Sequence, residues 1–259
     1  HVMARDEYER LSMARKQATL LQAAVVDSDD VSATGLAELT PRFSDSSPAY
    51  RAADIADWCA TELLPLLETL DGGQEHVFGM DFARHGDLSV LVPLAIADDT
   101  RRHAPFVVEL RNIPHAQQRQ IVFYLLDRLP RLTAAWFDAT GNGEYLAETA
   151  ADHYGRRVNP VKLNNQWYGE HMPPFVAAFE DDLLRIPRDA DILDDLRALE
   201  RIDGIIKLGK RRTGRSHDRH GDAAIALCLA YAASRSDTVL PVEVAIEDQS
   251  AYISPYQDY

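Results

Sequence analysis

The spacing of hydrophobic residues predicts two helices near the start of the chain. Residues 4–25 and 49–70 carry hydrophobic side chains three and four positions apart, which is the period of an amphipathic helix. Pro65 lies inside the second segment and predicts a kink or a break there. Residues 27–48 lie between the two helices and are rich in Asp, Ser and Pro, so they favour a linker or mobile loop.

Beyond residue 72 the hydrophobic pattern changes to short strands mixed with helices. Hydrophobic runs over 77–81, 88–96 and 106–110 have strand length and predict a meander. The elements predicted after it are a helix over 115–129, a strand over 133–138, a helix over 143–154, a strand over 158–163, helices over 174–184 and 189–200, a short strand over 204–208 and a helix over 222–233. This alternation predicts an α/β fold.

The same change of pattern predicts the domain organisation. We expect a helical extension over 1–72, a main α/β domain over 73–235 and a tail over 236–259. The first three residues, His-Val-Met, are typical of an expression vector. We therefore expect the chain to be part of a longer protein.

The composition indicates a protein of the cytosol. The chain has no hydrophobic run of the roughly 18 residues that a membrane span needs and no hydrophobic stretch typical of a signal peptide. Its two cysteines, Cys59 and Cys228, lie in hydrophobic helical patterns, which favours buried thiols over a disulfide or a metal site.

Charge limits how the protein can contact nucleic acid. The net charge of −14 excludes a protein that coats DNA without specificity, because such binding requires Lys and Arg to neutralise phosphates. The segment over 207–219 is an exception, because it is rich in Lys and Arg and has Asp218 as its only acid. Its basic residues, the basic run, are Lys207, Lys210, Arg211, Arg212, Arg215 and Arg219. From charge alone, a DNA contact and a solvated loop are equally good interpretations.

Three aspartates lie at the ends of predicted elements. Asp81 and Asp138 each close a predicted strand, and Asp222 opens the last predicted helix. Carboxylates at one edge of a sheet can bind two Mg²⁺ or Mn²⁺ ions for phosphodiester hydrolysis. Each aspartate also has a structural interpretation: Asp138 as the cap of the turn over 139–143 and Asp222 as a helix N-cap.

Three motifs resemble those of a known family, and they occur in the family's order. Gly79–Ser89 (GMDFARHGDLS) resembles the first nuclease motif of phage terminase large subunits. Phe137–Gly143 (FDATGNG) resembles the second acidic motif, and His220–Leu227 (HGDAAIAL) resembles the third, which leads into a helix. The resemblance covers roughly residues 77–234 and is greatest to the large subunits of Mu-like phages.

This resemblance implies a fold, an activity and a set of site residues. The fold would be ribonuclease-H-like, with a mixed central sheet flanked by helices, and the activity would be the cutting of concatemeric viral DNA during packaging. Asp81, Asp138 and Asp222 would hold two divalent metal ions, Mg²⁺ or Mn²⁺, with Asp218 as a candidate further ligand. The basic run would hold the DNA backbone over the metals.

The resemblance also implies partners. Large subunits of this family carry a packaging ATPase ahead of the nuclease, and we expect residues 1–72 to join the two. The segment Gly204–Arg211 is not the ATPase's phosphate-binding loop, because Arg211 stands where a Ser or Thr hydroxyl belongs. The expected partners are double-stranded DNA, the ATPase domain, the portal and the small terminase subunit, in the host cytoplasm and without a membrane.

Two other functions remain open at this point. The strand ending at Asp81 and the glycine-bearing loop over 138–143 also suit an actin-like ATP-dependent phosphotransferase, although such enzymes have two duplicated lobes and this chain has no internal repeat. The acidic composition suits a non-catalytic packaging adaptor that docks on the portal.

Overall fold

A mixed β-sheet lies between two layers of helices in the computed structural model, which describes residues 39–44, 54–83, 88–210, 212–214 and 219–236. The strands are β1 (Arg42–Ser44), β2 (Glu75–Asp81), β3 (Leu88–Ile96), β4 (Arg102–His103), β5 (Val108–Arg111), β6 (Leu132–Asp138), β7 (Val158–Val161), β8 (Leu184–Arg185), β9 (Leu199–Ile202) and β10 (Ile205–Leu208). The α-helices are α1 (Asp54–Trp58), α2 (Leu64–Glu68), α3 (His115–Leu126), α4 (Glu144–Tyr154), α5 (Asn165–Glu180), α6 (Ala190–Arg197) and α7 (Asp222–Ala233), with a π-helical turn over Cys59–Leu63 between α1 and α2.

The order of the strands places β2 in the middle of the sheet. In the described part of the chain, the main path of the sheet runs β1-β5-β3-β2-β6-β7. Strand β4 also pairs with β3, and β8 pairs with β4. Strands β9 and β10 form a separate hairpin. Strands β2, β6 and β7 are parallel, and Met80 pairs with Phe137. The next residues, Asp81 and Asp138, therefore end their strands at the same edge of the sheet.

Alternating side chains of the central strands supply two separate hydrophobic cores. Val77 of β2 points into a core closed by α5, α6 and α7. Phe78 and Met80 point to the opposite face, where α1 to α4 and the π-helical turn close the second core. Because side chains alternate along a strand, Asp81 belongs to the α7 face.

Helix α7 is the most deeply buried helix of the first core. All of its residues from Asp222 to Ala233 are buried, and the sequence there is hydrophobic on every side. It packs on β2 at Gly79, where a Cβ atom would lie 2.3 Å from both the Ala226 carbonyl oxygen and the Ala230 nitrogen. Glycine at this position is what allows the helix backbone to approach the strand.

Several predicted elements differ from the structure at their ends. Residues 42–44 fall in the predicted mobile loop but form β1, which pairs parallel with β5 and buries Phe43 against Trp58. The helix does not break at Pro65: its backbone stays helical from α1 into α2, and the irregularity is a π-helical turn that ends just before this residue. Strand β1 and the helices α1 and α2 all contribute side chains to the second core. The domain boundary predicted at residue 72 therefore falls inside a packed unit.

Two further elements were predicted incompletely. The helix predicted over 174–184 starts at Asn165 and continues through Pro173 and Pro174, so the two prolines do not mark its beginning. Strand β9 was missed. It pairs with β10 around Asp203 and Gly204, which both have positive φ and form the tight turn that an Asp-Gly pair favours.

The remaining predicted segments lie outside the described residues: the helix over 4–25, most of the loop over 27–48, and the tail after Ser236. Within the described ranges, no helix is long and hydrophobic enough to span a membrane.

The close contact at Gly79 leads to a stability prediction. Gly79→Ala should lower the free energy of unfolding by about 2 kcal/mol, because the added methyl group overlaps the backbone of α7. Gly169→Ala is the matched control, since Gly169 lies in α5 with no atom near its Cβ position; it should raise stability by roughly 0.5 kcal/mol. Urea denaturation of both variants tests this, and equal effects would contradict it.

Candidate metal centre

Two of the three predicted aspartates are joined directly. A hydrogen bond links the Asp81 and Asp138 carboxyl groups, with Asp81 donating and Asp138 accepting. Asp138 is 8% exposed, and its Oδ1 also accepts from the Thr140 N–H at 2.8 Å. The turn-capping interpretation of Asp138 is therefore correct, and the same carboxylate also faces Asp81.

The third aspartate reaches the site from a different part of the chain. Asp222 is the first residue of α7 and is 6% exposed, and its Oδ2 accepts from the His220 N–H at 3.2 Å. The helix N-cap is Gly221, with φ 83°, and not Asp222 as one interpretation of the sequence had it. A Cβ atom at Gly221 would lie 2.3 Å from the Leu208 Cδ2, so a side chain there would require Leu208 to move as well as a strained backbone.

The three acids interact through their charges. Burial raises the pKa of Asp81 well above its usual range, and the neighbouring negative charges of Asp222 and Asp138 raise it further. Burial also raises the pKa of Asp138, although hydrogen bonds from Thr140 oppose that shift. The fold thus holds like charges close together in a poorly hydrated place.

The chemistry of these donors suits a divalent cation. Among the described residues, no three His, Cys, Asp or Glu side chains are arranged around one point as ligands. Carboxylate oxygens are nevertheless the donors that Mg²⁺ and Mn²⁺ prefer, and a cation relieves the repulsion between buried carboxylates. Asp81, Asp138 and Asp222 therefore fit a divalent metal by donor type and by charge.

Tyr168 also lies near the acids and was missed in the sequence. It is in the first turn of α5 and packs, partly buried, against the first core. Burial raises the pKa of Tyr168, and the charges of Asp81 and Asp138 add to the shift. The helix start is visible in the sequence as the N-cap Asn164, but nothing in the local pattern indicates that the tyrosine faces two distant aspartates.

The described part of the basic run divides into an exposed and a buried portion. Lys210 and Arg212 are exposed, and Lys207 of β10 is partly exposed with its Nζ 3.5 Å from the Asn165 Oδ1 at the start of α5. The adjacent Leu208 packs on Gly221, so this end of the hairpin adjoins the entry to α7. Arg211, Arg215 and Asp218 lie outside the described residues.

Arg219 was predicted to contact DNA, but its side chain is buried. Its side chain is 4% exposed, and its guanidinium donates to the Glu109 Oε1 at 2.6 Å and to the Asp195 Oδ2 at 2.5 Å. The positive charge of Arg219, which the sequence predicted to bind DNA, is therefore paired with two buried carboxylates. Neither Glu109 nor Asp195 was a candidate, because they lie 110 and 24 positions away from Arg219 in the chain.

Comparison with known proteins is consistent with this arrangement. The family model described as "Terminase RNaseH-like domain" matches residues 78–234. In the crystal structure of the large terminase nuclease from thermophilic phage G20c with bound cobalt, 82% of that chain aligns with 62% of this one, at a TM-score of 0.50 and 21% identity. This match shows a shared fold.

Two curated relatives are more similar in sequence. The probable terminase large subunit gp28 of Escherichia phage Mu is 45% identical over 219 residues, which are 83% of this chain and 40% of the relative. The Mu-like prophage FluMu protein gp28 of Haemophilus influenzae is 43% identical over 199 residues, which are 76% of this chain and 39% of the relative. The chain thus spans about two fifths of these relatives' length. It belongs to the terminase RNaseH-like domain family, with the ribonuclease-H-like fold that its motifs predicted.

Proposed function

We propose that the chain is a metal-dependent endonuclease that cuts concatemeric viral double-stranded DNA during genome packaging. The observation that carries the proposal is that Asp138 and Asp222, from separate parts of the chain, both act through their charges on Asp81 where β2 ends. A fold that only needed stability would gain nothing from buried like charges, whereas a metal site requires them. Membership of the terminase family argues against the actin-like alternative.

The three aspartates would hold two Mg²⁺ or Mn²⁺ ions. When bound, such ions activate the attacking water and stabilise the leaving oxygen of the phosphodiester. The protein itself positions the ligands. Strands β2 and β6 hold Asp81 and Asp138 in register, and α7 holds Asp222. Asp218 stays a candidate further ligand. Tyr168 lies near enough to Asp81 and Asp138 for their charges to raise its pKa.

The exposed part of the basic run would contact the DNA backbone. Lys207, Lys210 and Arg212 lie on or next to the hairpin end that adjoins the entry to α7, close in sequence to the proposed ligand Asp222. Arg211 and Arg215 remain proposed contacts from their sequence positions. With a net charge of −14, binding has to depend on this local group of cations.

The partners proposed for the whole protein follow from its relatives. Both curated relatives are more than twice as long as the matched segment, and the phage Mu relative is described as a probable terminase large subunit. We propose a packaging ATPase domain in the same full-length protein, with the portal and the small terminase subunit as partners in the host cytoplasm.

Plasmid cleavage tests the proposed activity. The protein should nick or linearise supercoiled DNA with Mn²⁺ or Mg²⁺ and not with EDTA, and Asp138→Asn should reduce the rate by about a hundredfold or more because a ligand charge is removed. Asp152→Asn, which removes an exposed acid of α4, should cleave like the wild type. If no metal supports cleavage and none binds in calorimetric titration, the non-catalytic adaptor becomes the better proposal.

A second prediction concerns the stability of the metal-free protein. The raised pKa of Asp81 means that the folded state holds its proton more tightly than the unfolded state, so Asp81 progressively destabilises the fold as pH rises above about 4. Asp81→Asn cannot ionise but can still donate to Asp138. In EDTA we expect its Tm to exceed that of the wild type by about 3 °C at pH 7.5 and by little near pH 4.

Differential scanning calorimetry across this pH range measures the effect, and Mn²⁺ should then raise the wild-type Tm more than that of the variant. Asp152→Asn again serves as the control for removal of a surface charge. A variant that is less stable than the wild type at pH 7.5 in EDTA would show that the acids do not repel one another.

The third prediction concerns DNA binding. Replacing both Lys210 and Arg212 by Ala should weaken DNA binding and reduce the slope of log affinity against log salt by roughly 0.9 for each phosphate that the variant no longer neutralises. Arg185→Ala removes a similar exposed cation, one that pairs with Asp182, and should leave the slope unchanged. Fluorescence anisotropy at several salt concentrations in Ca²⁺ or EDTA measures it, and equal slopes for all three proteins would refute the proposed contacts.

A further inference from the structure

Helix α7 has no capping side chain of its own. Its N-cap is Gly221, and the N–H groups of the first turn of a helix have no acceptors within the helix. Two of the local N–H groups find acceptors elsewhere: the Ala223 N–H donates to the Asp195 Oδ2 at 3.1 Å, and the Gly221 N–H donates to the Thr213 Oγ1 at 3.2 Å. The start of α7 is therefore held by side chains of α6 and of the preceding loop.

Asp195 is fully buried, so its charge has to be compensated inside the protein. Arg219 provides the compensation in a two-point contact, with its Nε 3.1 Å from Oδ1 and its Nη2 2.5 Å from Oδ2. The Thr213 hydroxyl donates a further hydrogen bond to Oδ1. Every oxygen of the carboxylate that caps α7 is thus engaged.

The same arginine is tied to the strands at the β1 edge of the sheet. Its Nη1 donates to the Glu109 Oε1 on β5, and the Glu109 Oε2 accepts from the Arg42 Nε of β1 at 2.8 Å. Backbone hydrogen bonds in both directions between Thr213 and Arg219 close the loop that carries it. Charges alternate in sign from Arg42 through Glu109, Arg219 and Asp195 to the positive end of the α7 dipole.

This network of charges and hydrogen bonds acts on Asp222, which precedes Ala223 in α7. Asp222 lies between the two anchored amides, and like charges of neighbouring carboxylates repel one another, so an unanchored first turn would let Asp222 move away from the other two acids. The network opposes that displacement, because Ala223 and Gly221 on either side of Asp222 are both anchored.

We propose that Arg219 is a positioning residue for Asp222: through Asp195 and Thr213 it fixes the first turn of α7 and keeps the third carboxylate beside the other two. The consequence for metal binding depends on the proposed nuclease function, whereas the anchoring of the helix start does not. Arg219 itself is buried against Glu109 and Asp195, so it would act on the metals only through Asp222.

Amide hydrogen exchange followed by NMR tests the anchoring in the metal-free protein. In Arg219→Lys, which keeps the charge but cannot form the two-point contact, the Ala223 amide should exchange about tenfold faster than in the wild type, while Ala230 in the same helix should change little. Thr213→Val should accelerate Gly221 in the same selective way, and it carries the test if Arg219→Lys does not fold. Arg185→Lys is the control for a surface ion pair.

Calorimetric titration with Mn²⁺ then measures the effect on the metal centre. Both network variants should bind Mn²⁺ several times more weakly than the wild type and than Arg185→Lys. Equal acceleration at Ala223 and Ala230 would overturn the proposal, because it would indicate a general loss of stability, and so would weaker exchange protection with unchanged Mn²⁺ affinity. A wild type that binds no Mn²⁺ contradicts the proposed function, and the exchange data still decide whether Arg219 anchors the helix.

Discussion

The approach of α7 to Gly79 is the contact on which the arrangement of the acids depends. A helix buried along its whole length gains free energy from removing its hydrophobic residues from water, and it obtains that burial only by packing closely on the central strand. Once seated there, its first residue lies at the edge of the sheet where Asp81 and Asp138 end their strands. Hydrophobic burial thus offsets the electrostatic cost of bringing three carboxylates together.

The elements that the sequence predicted well are those with strong hydrophobic patterns. Strand β3 and helix α7 have the bounds expected from their continuous hydrophobic runs. The three-residue strand β1 could not be predicted, because only Phe43 of its residues is deeply buried and its pairing with β5 is a distant contact. The start of α5 was misplaced because two consecutive prolines usually mark a helix boundary, whereas this helix contains them in its interior.

The residues of the candidate site likewise divide into those that the sequence predicted and those that it did not. The positions of Asp81 and Asp138 at strand ends follow from local pattern and motif, whereas the role of a cation depends on which residues surround it in space. Counting charges placed Arg219 in a DNA-binding run, but no local pattern reveals that Glu109 and Asp195, both buried, compete for it. Tyr168 was missed for the same reason, since its relation to the aspartates exists only after β6, β7 and α5 have packed.

Helix α7 is buried along its whole length, so it supports Asp222 from inside the protein. The helix that bears Asp222 presents no face to solvent, whereas the residues at the start of α5, and Lys210 and Arg212 beside the hairpin, are exposed. Changes in those exposed elements can alter which molecule is held, and how firmly, without moving the carboxylates. The surface that holds a ligand can therefore be altered separately from the interior that holds the carboxylates.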